Sequence, residues 1–370
     1  MKVYLDNAAT TGILDEFKEE LLNVFVTNFA NASSIHALGK KSRYILEKSR
    51  EIVANSLNVL PKDIFFTSGA TESNNMIIKG VALSKGSGHI ITSSIEHPSV
   101  LNVCKYLEEK GYEITYLRPD KYGRISKEDV ISNIKENTIL ITIMAVNNET
   151  GVKMPIEDIG NAIKETNIFF HSDMTQLILK EKIDLSSFNI DGISASFHKL
   201  HGLKGAGIAY IKSKHQIEKI LHGGHQEKNR RSGTENLQSI IYSSKVYEYL
   251  YNNIDKNLEY IKELRKYLGD KLEKLEGKVL VNNNKYTINH IINIQIIGKD
   301  IDYLLPLFDM NGIYISGGSA CQSGAINPST VLMEQGLSEE EAKSSVRLSL
   351  SIQNTKEEID YFIDVLKKIL

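Results

Sequence analysis

The chain has 370 residues, of which 41% are hydrophobic and 24% are charged, and its formal net charge is −2. These values suit a globular protein of one large domain or two domains. The net charge excludes the strongly basic class of proteins that bind nucleic acid or anionic membranes through charge. The two cysteines, Cys104 and Cys321, are too few for a disulfide framework and favour a reducing, cytoplasmic setting. We expect neither a signal peptide nor a membrane helix, because no apolar segment is long enough.

Strand-like and helix-like segments alternate from residue 38 to about residue 212. Short apolar runs that predict strands are separated by longer amphipathic runs that predict helices. The predicted strands are "DIFFTSG", "HIITSS", "EITYLR", "TILITIMAV" (138–146), "IFFHSD", 193–197 and 207–212. This order predicts βαβ units, and therefore an α/β fold with a mainly parallel sheet flanked by helices.

The last third of the chain has a different pattern. Charged amphipathic helices dominate residues 236–276, including a long helix near residue 250. A strand ("TINHIINIQI"), a helix ("KDIDYLLPLFDMNG"), a second strand ("VRLSLS") and a closing helix ("TKEEIDYFIDVLKKIL") follow. These segments predict a smaller α+β domain at the carboxyl end of the chain.

Compact polar clusters follow the predicted strands of the first two thirds. They are "TSGATES", "IEHPS", "NNETG", "HSDMTQ" and "HKLHG". In open α/β sheets, ligands bind beyond the carboxyl ends of the strands. Each cluster alone is compatible with ordinary turn chemistry, but together at one sheet edge they predict a binding site.

Three of these clusters indicate a type of chemistry. Asp173 ends an apolar strand, where a carboxylate needs a cationic partner such as a protonated ring nitrogen; a helix cap or a salt bridge is the alternative. Lys199 follows a strand, where a lysine can form a Schiff base; an ordinary surface lysine is the alternative. "TSGATES" precedes a helix, whose first backbone N–H groups can bind phosphate; a simple helix N-cap is the alternative, and neither P-loop nor dinucleotide-binding spacing occurs.

The histidines do not indicate a metal site. The pairs His198/His201 and His222/His225 lack the H-E-x-x-H pattern, and neither pair has an acidic ligand between its members. We therefore predict no bound metal.

A series of motifs runs in order along nearly the whole chain: "YLDNAATT", "NASSIHALGKKS", "FTSGATESNN", "EHPSV", "NNETG", "HSDMTQ", "SFHKLHGLKGAG", "GGHQEKNRRSGTEN", "SGGSACQSG" and "SVRLSLS". The ordered set resembles the cysteine desulfurases, a family within the class-V aminotransferase group of fold-type-I enzymes that use pyridoxal 5'-phosphate (PLP). The resemblance implies a large PLP-binding domain at 14–250 with a seven-stranded sheet. It also implies a small α+β domain, formed by 1–13 with 251–370, that carries the catalytic cysteine loop.

The resemblance assigns the cofactor site residue by residue. Lys199 would form the Schiff base with PLP, and Asp173 would pair with the protonated ring nitrogen. His97 would stack on the ring and take part in proton transfer. The other cofactor contacts would come from Ala70 (through its backbone), Thr71, Asn148, Gln176, Ser196, His198 and Thr234.

The implied reaction converts L-cysteine to L-alanine. Asn148 and Arg347 would bind the substrate carboxylate. The Cys321 thiolate would take the sulfur as a persulfide and pass it to an acceptor protein, for iron–sulfur cluster assembly or for thiolation of tRNA or a cofactor. Thr234 would reach the cofactor of a neighbouring subunit, which implies a homodimer. Because glycines flank Cys321, we expect residues 316–324 to vary in conformation.

Two other functions are compatible with the sequence. A selenocysteine lyase, or another PLP enzyme of the class-V group, would share most of the site, although an aminotransferase has no need of a thiol at Cys321. A homologue that has lost catalysis and serves as a scaffold should lack Lys199, Asp173 or Cys321, and all three are present.

Overall fold

The computed structural model describes residues 1–318 and 328–370. Cys321 and most of the segment 316–324 therefore lie outside the described residues, and so does the predicted variability of that segment. Within the described residues, no helix has both the length and the apolar character needed to span a bilayer.

The apolar runs predicted as strands form one seven-stranded sheet. Its strands, in chain order, are β2 (Ile64–Thr67), β3 (His89–Ser93), β4 (Glu113–Leu117), β5 (Thr138–Thr142), β6 (Phe169–Asp173), β7 (Gly192–Ser196) and β8 (Gly207–Ile211). Their spatial order is β2-β8-β7-β6-β5-β3-β4. Strand β8 runs in the opposite direction to the other six strands, which are parallel to one another. The predicted mainly parallel sheet is therefore confirmed, and the carboxyl ends of β3, β5, β6 and β7 meet at one edge.

Helices connect the strands and cover the sheet. Those of the first 170 residues are α1 (Lys18–Thr27), α2 (Ala37–Ser56), α3 (Ala70–Lys85), α4 (Pro98–Glu109), α5 (Lys127–Ser132) and α6 (Ile156–Ile163). Those of the later part are α7 (Leu237–Asn252), α8 (Ile254–Leu272), α9 (Ile301–Met310), α10 (Thr330–Glu334), α11 (Glu339–Lys343) and α12 (Lys356–Ile369). Short 3-10 turns occur at Asp15–Phe17, Pro61–Asp63, Phe197–Lys199 and Glu273–Leu275.

Two smaller sheets lie in the carboxyl-terminal part. An antiparallel sheet has the order β12 (Ser345–Ser349), β10 (Ile291–Ile296), β9 (Val279–Val281). The amino-terminal strand β1 (Val3–Tyr4) pairs in parallel with β11 (Ile313–Tyr314). One apolar core consists of residues from β1, α8, α9, β10, β12 and α12, whereas the residues around the large sheet form separate cores. The domain boundaries expected from the sequence, 14–250 and 1–13 with 251–370, stay a prediction that these cores support.

Two predicted elements differ from the structure. The long helix near residue 250 is divided into α7 and α8 at Asn253, whose backbone has φ −109° and ψ 17°. The Asn253 side chain donates to the carbonyl of Tyr249 at 2.8 Å, an alternative to continuing the helix. The apolar run 138–146 is longer than its strand, because β5 ends at Thr142 and residues 143–146 continue toward a cavity.

A buried ion pair ties α2 and β2 to a turn at residues 226–229. Arg50 and Glu227 are 1% and 4% exposed, and the guanidinium donates two hydrogen bonds of 2.7 and 2.8 Å to the carboxylate. Glu227 also accepts from the Phe66 backbone N–H at 2.8 Å, and Arg50 donates to the Ile64 carbonyl at 2.8 Å. Glu227 has a φ of 45°, a left-handed conformation that side-chain residues rarely adopt. These bonds therefore hold a strained turn against the sheet.

Replacing Glu227 with Gln removes the buried partner of Arg50 and leaves its guanidinium with only the half-exposed carboxylate of Glu47, at 3.2 Å. We expect the free energy of unfolding to fall by about 3 kcal/mol, measured by urea denaturation. The control is Glu51→Gln in the exposed Lys48–Glu51 pair, which should not move the unfolding midpoint measurably. Equal midpoints for the two variants would show that the Arg50–Glu227 pair does not hold the turn.

Candidate active site

The polar clusters that follow β2, β3, β5, β6 and β7 line one cavity of about 370 Å³. The site residues predicted from sequence that line it are Ala70, Thr71, His97, Asn148, Asp173, Gln176, Ser196, His198, Lys199 and Arg347. The amino-terminal segment also contributes, through Ala8 and Ala9. Local sequence therefore placed the polar groups at strand ends, and the parallel topology brings them together.

A hydrogen-bond network fixes the carboxylate and the imidazole of the cavity. Asp173, 6% exposed at the end of β6, accepts from the Asn74 side-chain amide at 2.8 Å and from the Thr175 backbone N–H at 3.0 Å. The same Asn74 nitrogen donates to the Ser99 hydroxyl at 2.8 Å, and that hydroxyl is 2.8 Å from Nδ1 of His97. One helix residue therefore orients both groups.

His97 caps helix α4 and presents the other side of its ring to the cavity. Its Nδ1 accepts from the Ser99 backbone N–H at 3.1 Å, so the ring proton of the neutral imidazole is on Nε2. Burial lowers the pKa of His97, and the nearby Asp173 partly opposes that shift. The neutral form with a proton at Nε2 can therefore donate into the cavity near neutral pH.

Lys199 and His198 are held by the amino-terminal segment. The Lys199 Nζ donates to the carbonyl oxygens of Ala8 and Ala9, both at 2.6 Å. The Nδ1 of His198 lies 3.2 Å from the Thr10 hydroxyl. Burial, together with neighbouring lysines, lowers the pKa of His198 to about 4, so its imidazole is neutral.

The start of helix α3 provides an anion site at the side of the cavity. Its N-cap, Gly69, makes no side-chain capping bond, so within the described residues no side chain caps the first turn that contains Ala70 and Thr71. The Ser196 hydroxyl lies opposite, 3.6 Å from where a Cβ on Gly69 would be. A Cβ on Gly207 would be only 2.5 Å from Gly69 Cα, so this close approach requires glycine. Backbone N–H groups and a hydroxyl in this arrangement suit a phosphate.

Arg347 also lines the cavity and is 1% exposed. Its Nη2 pairs with Asp6 Oδ1 at 2.7 Å, and its Nη1 donates to the Asn148 carbonyl at 2.8 Å. Its Nε is buried and has no hydrogen-bond partner within the described residues. Backbone bonds to Ser316 fix the strand position of Arg347. The guanidinium is thus fixed in place, and its Nε–H remains available to donate a hydrogen bond.

Two predicted residues do not line this cavity. Thr234 is exposed and lies outside it. Cys321 belongs to the part of the chain that is not described. The other cysteine, Cys104, is fully buried on α4, and burial raises the pKa of its thiol to about 12, so it is chemically inert at neutral pH.

Sequence reasoning assigned no role to several residues that the structure places in the site. These are Asp6, Ala8, Ala9, Asn74 and Ser99. The signal for Asn74 is its spacing, since it follows Ala70 by one helical turn and shares its face. The alanines act through backbone carbonyls, so no side-chain pattern points to them.

The donor set fits PLP. A buried carboxylate suits a protonated ring nitrogen, an uncapped helix start with a hydroxyl suits a phosphate, and a lysine lies in the same cavity. Within the described residues, no cluster of three or more His, Cys, Asp or Glu side chains is placed to hold a metal ion.

Comparison with known proteins agrees with this fit. The family model of class-V aminotransferases matches residues 3–362. Proteins named cysteine desulfurase IscS from Clostridium botulinum strain Hall and Methanosarcina thermophila are each 41% identical, over 100% of this chain and 94% and 92% of their own. A solved NifS-like protein superposes with a TM-score of 0.93 at 34% identity, covering 100% of this chain and 99% of its own. A structure described as SspA in complex with cysteine has a TM-score of 0.85 at 36% identity, covering 96% and 100%.

Glu96, which precedes His97, is a buried carboxyl whose protonation should make the free energy of unfolding depend on pH. Burial raises the pKa of Glu96 to about 8 from a reference value of 4.5. Between these values the unfolded chain loses the proton that the folded protein keeps, so stability should fall as pH rises. Glu96→Gln, which mimics the protonated form, should remove this loss.

The measurement is urea unfolding at several pH values for wild type, Glu96→Gln and the exposed control Glu109→Gln. The stability difference between Glu96→Gln and wild type should grow by up to about 1.4 kcal/mol per pH unit within that window and stay constant outside it. Parallel curves for wild type and Glu96→Gln would mean that Glu96 ionises without cost in the folded protein.

Proposed function

The chain belongs to the class-V aminotransferase family and is a PLP-dependent cysteine desulfurase, and from that premise we propose the roles of its own residues in the reaction. The enzyme acts on L-cysteine. The observation that carries the assignment of roles is the single cavity that contains Lys199, Asp173, the uncapped start of α3 and Arg347.

Residues that line the cavity would hold the cofactor. Lys199 would bind it covalently, and Asp173, already oriented by Asn74, would pair with its ring nitrogen. When bound, PLP withdraws electrons from the carbon next to the substrate amino group. The phosphate would be held by the Ser196 hydroxyl, His198 and the first turn of α3, through Ala70 and Thr71, and the phenolic oxygen by Gln176. Asn148 would add a further contact.

His97 and Lys199 would take part in proton transfer. His97 would stack on the cofactor ring, with its Nδ1 fixed by Ser99 and its proton held at Nε2. The Lys199 amine, which lies in the same cavity, would take the proton from the substrate carbon. Its two carbonyl partners, Ala8 and Ala9, would keep the amine in the cavity meanwhile.

Arg347 and Asn148 would bind the substrate carboxylate. The guanidinium is fixed by Asp6 and by the Asn148 carbonyl, and its buried Nε is available to donate. A buried, fixed arginine is a strong carboxylate ligand because its position costs little conformational entropy on binding.

Cys321 would receive the sulfur. Its thiolate attacks the substrate sulfur, so that an S–S bond forms as the substrate C–S bond breaks, and the electron pair of that bond takes up a proton. L-cysteine and the Cys321 thiol thus give L-alanine and a Cys321 persulfide, and no outside oxidant is required. The persulfide would pass to an acceptor for iron–sulfur cluster assembly or thiolation. A free thiol needs a reducing compartment, so we place the enzyme in the cytoplasm.

A homodimer would complete the site. Four apolar side chains between residues 22 and 35 are 66–88% exposed: Leu22, Val26, Phe29 and Ile35. Such a group of exposed apolar residues indicates a protein interface. Thr234 is exposed and outside its own cavity, as expected if it reaches the cofactor phosphate of the partner subunit.

The proposed roles are tested by product analysis. With L-cysteine and a thiol reductant, wild type should release L-alanine and sulfide in equal amounts. Cys321→Ser should lose sulfide release while keeping the yellow colour of bound cofactor, and Lys199→Ala should lose both. Cys104→Ser is the matched control and should retain full activity, because Cys104 is buried outside the site.

Full activity of Cys321→Ser would refute the persulfide step. The same assay with L-selenocysteine distinguishes the selenocysteine lyase alternative, which predicts that activity depends much less on Cys321. A protein that stays colourless with added PLP would refute the cofactor site itself.

A further inference from the structure

His290 lies just before a strand of the smaller antiparallel sheet and contacts Gln176, a residue that lines the cavity. His290 immediately precedes β10 and is 3% exposed. Its carbonyl accepts from the Leu350 backbone N–H at 2.8 Å, which fixes its position beside β12. Its Nε2 lies 3.2 Å from Oε1 of Gln176, the residue proposed to contact the cofactor. A side-chain contact therefore links the segment before β10 to the loop after β6, at a residue that lines the cavity.

The position of the ring proton follows from its surroundings. Burial keeps the pKa of His290 well below its usual range, and the positive charges of Lys180 and Arg347 lower it further. The imidazole is thus neutral and carries one proton. Its Nδ1 is buried with no hydrogen-bond partner within the described residues, and the Gln176 oxygen can only accept. The Ala8 carbonyl can only accept and takes the Gln176 amide nitrogen at 2.9 Å, so the amide oxygen faces His290 and the ring proton is on Nε2.

Two partners set the direction of the Gln176 amide, the Ala8 carbonyl and the His290 ring. With the oxygen held by His290, the nitrogen of the amide donates to the Ala8 carbonyl at 2.9 Å. The Lys199 amine donates to the same carbonyl at 2.6 Å, so the amide nitrogen faces the place where the cofactor would be attached. An amide nitrogen has two hydrogens and can hold Ala8 while donating once more.

We propose that His290 is a positioning residue that fixes the Gln176 amide with its nitrogen toward the phenolic oxygen of the bound cofactor. The inference rests on the proposed function, since it uses the contact assigned there to Gln176. His290 itself touches neither cofactor nor substrate. Its contribution is a second restraint, beside the Ala8 carbonyl, against the reversed amide, which would turn an oxygen toward the negatively charged phenolic oxygen.

The orientation of the Gln176 amide should affect how tightly the Lys199 nitrogen keeps its proton when the cofactor is bound. A hydrogen bond to the phenolic oxygen stabilises its negative charge and thereby weakens its hold on the proton of the neighbouring Lys199 nitrogen. Without His290 the Gln176 amide is restrained only by the Ala8 carbonyl, so the reversed orientation becomes partly populated and part of that hydrogen bond is lost. The Lys199 nitrogen should then keep its proton to higher pH, which shifts the pH at which the visible absorption band of the lysine-bound cofactor changes.

The test is a spectroscopic pH titration of cofactor-loaded wild type and three variants. His290→Leu removes the donor, and its midpoint should rise by about one pH unit, the size expected for one hydrogen bond to a charged group. His290→Gln can place an N–H near the Nε2 position and should restore the wild-type midpoint. His290→Asn places its amide near Nδ1 instead and should behave like His290→Leu.

A double-variant comparison separates positioning from packing. In a Gln176→Leu background, His290→Leu should cause no additional shift, because His290 acts only through Gln176. Urea unfolding of each variant shows whether it is folded, and a stability loss alone leaves the midpoint unchanged. An unchanged midpoint in folded, yellow His290→Leu would overturn the inference. A wild type that binds no cofactor would instead overturn the proposed function.

Discussion

The active site depends on a buried carboxylate at the end of a central strand. Asp173 is 6% exposed and is held by the Asn74 amide and the Thr175 backbone N–H, both neutral donors. Burying a charge is costly unless an opposite charge is close, and the cationic ring nitrogen of PLP would supply it. The orientations of Ser99 and His97 are linked to this carboxylate. Asn74, which donates to Asp173, also donates to the Ser99 hydroxyl, and that hydroxyl contacts His97.

The amino-terminal segment connects this site with the rest of the fold. Asp6 pairs with Arg347 on β12, and the carbonyls of Ala8 and Ala9 accept from Lys199 beyond β7. The Ala8 carbonyl also accepts from Gln176, whose oxygen accepts from His290. The amino-terminal segment thus contacts both Lys199 and Arg347, through two backbone carbonyls and one side-chain carboxylate.

Sequence predicted the parts of the site that depend on local pattern. Asp173 and Lys199 were identifiable because each follows a short apolar strand, and parallel topology then requires their ends to meet. Asp6 and His290 were not, since their contacts with Arg347 and Gln176 span 341 and 114 residues. The break at Asn253 was missed because it depends on one side chain competing for a helix carbonyl.

The most direct test of the account is the intact mass of the protein after one turnover. Wild type loaded with PLP and given one equivalent of L-cysteine without reductant should gain one sulfur atom per chain. Peptide mapping should place that sulfur on Cys321, and a reductant should remove it. No gain in mass while L-alanine accumulates, or a sulfur found on Cys104, would contradict the account.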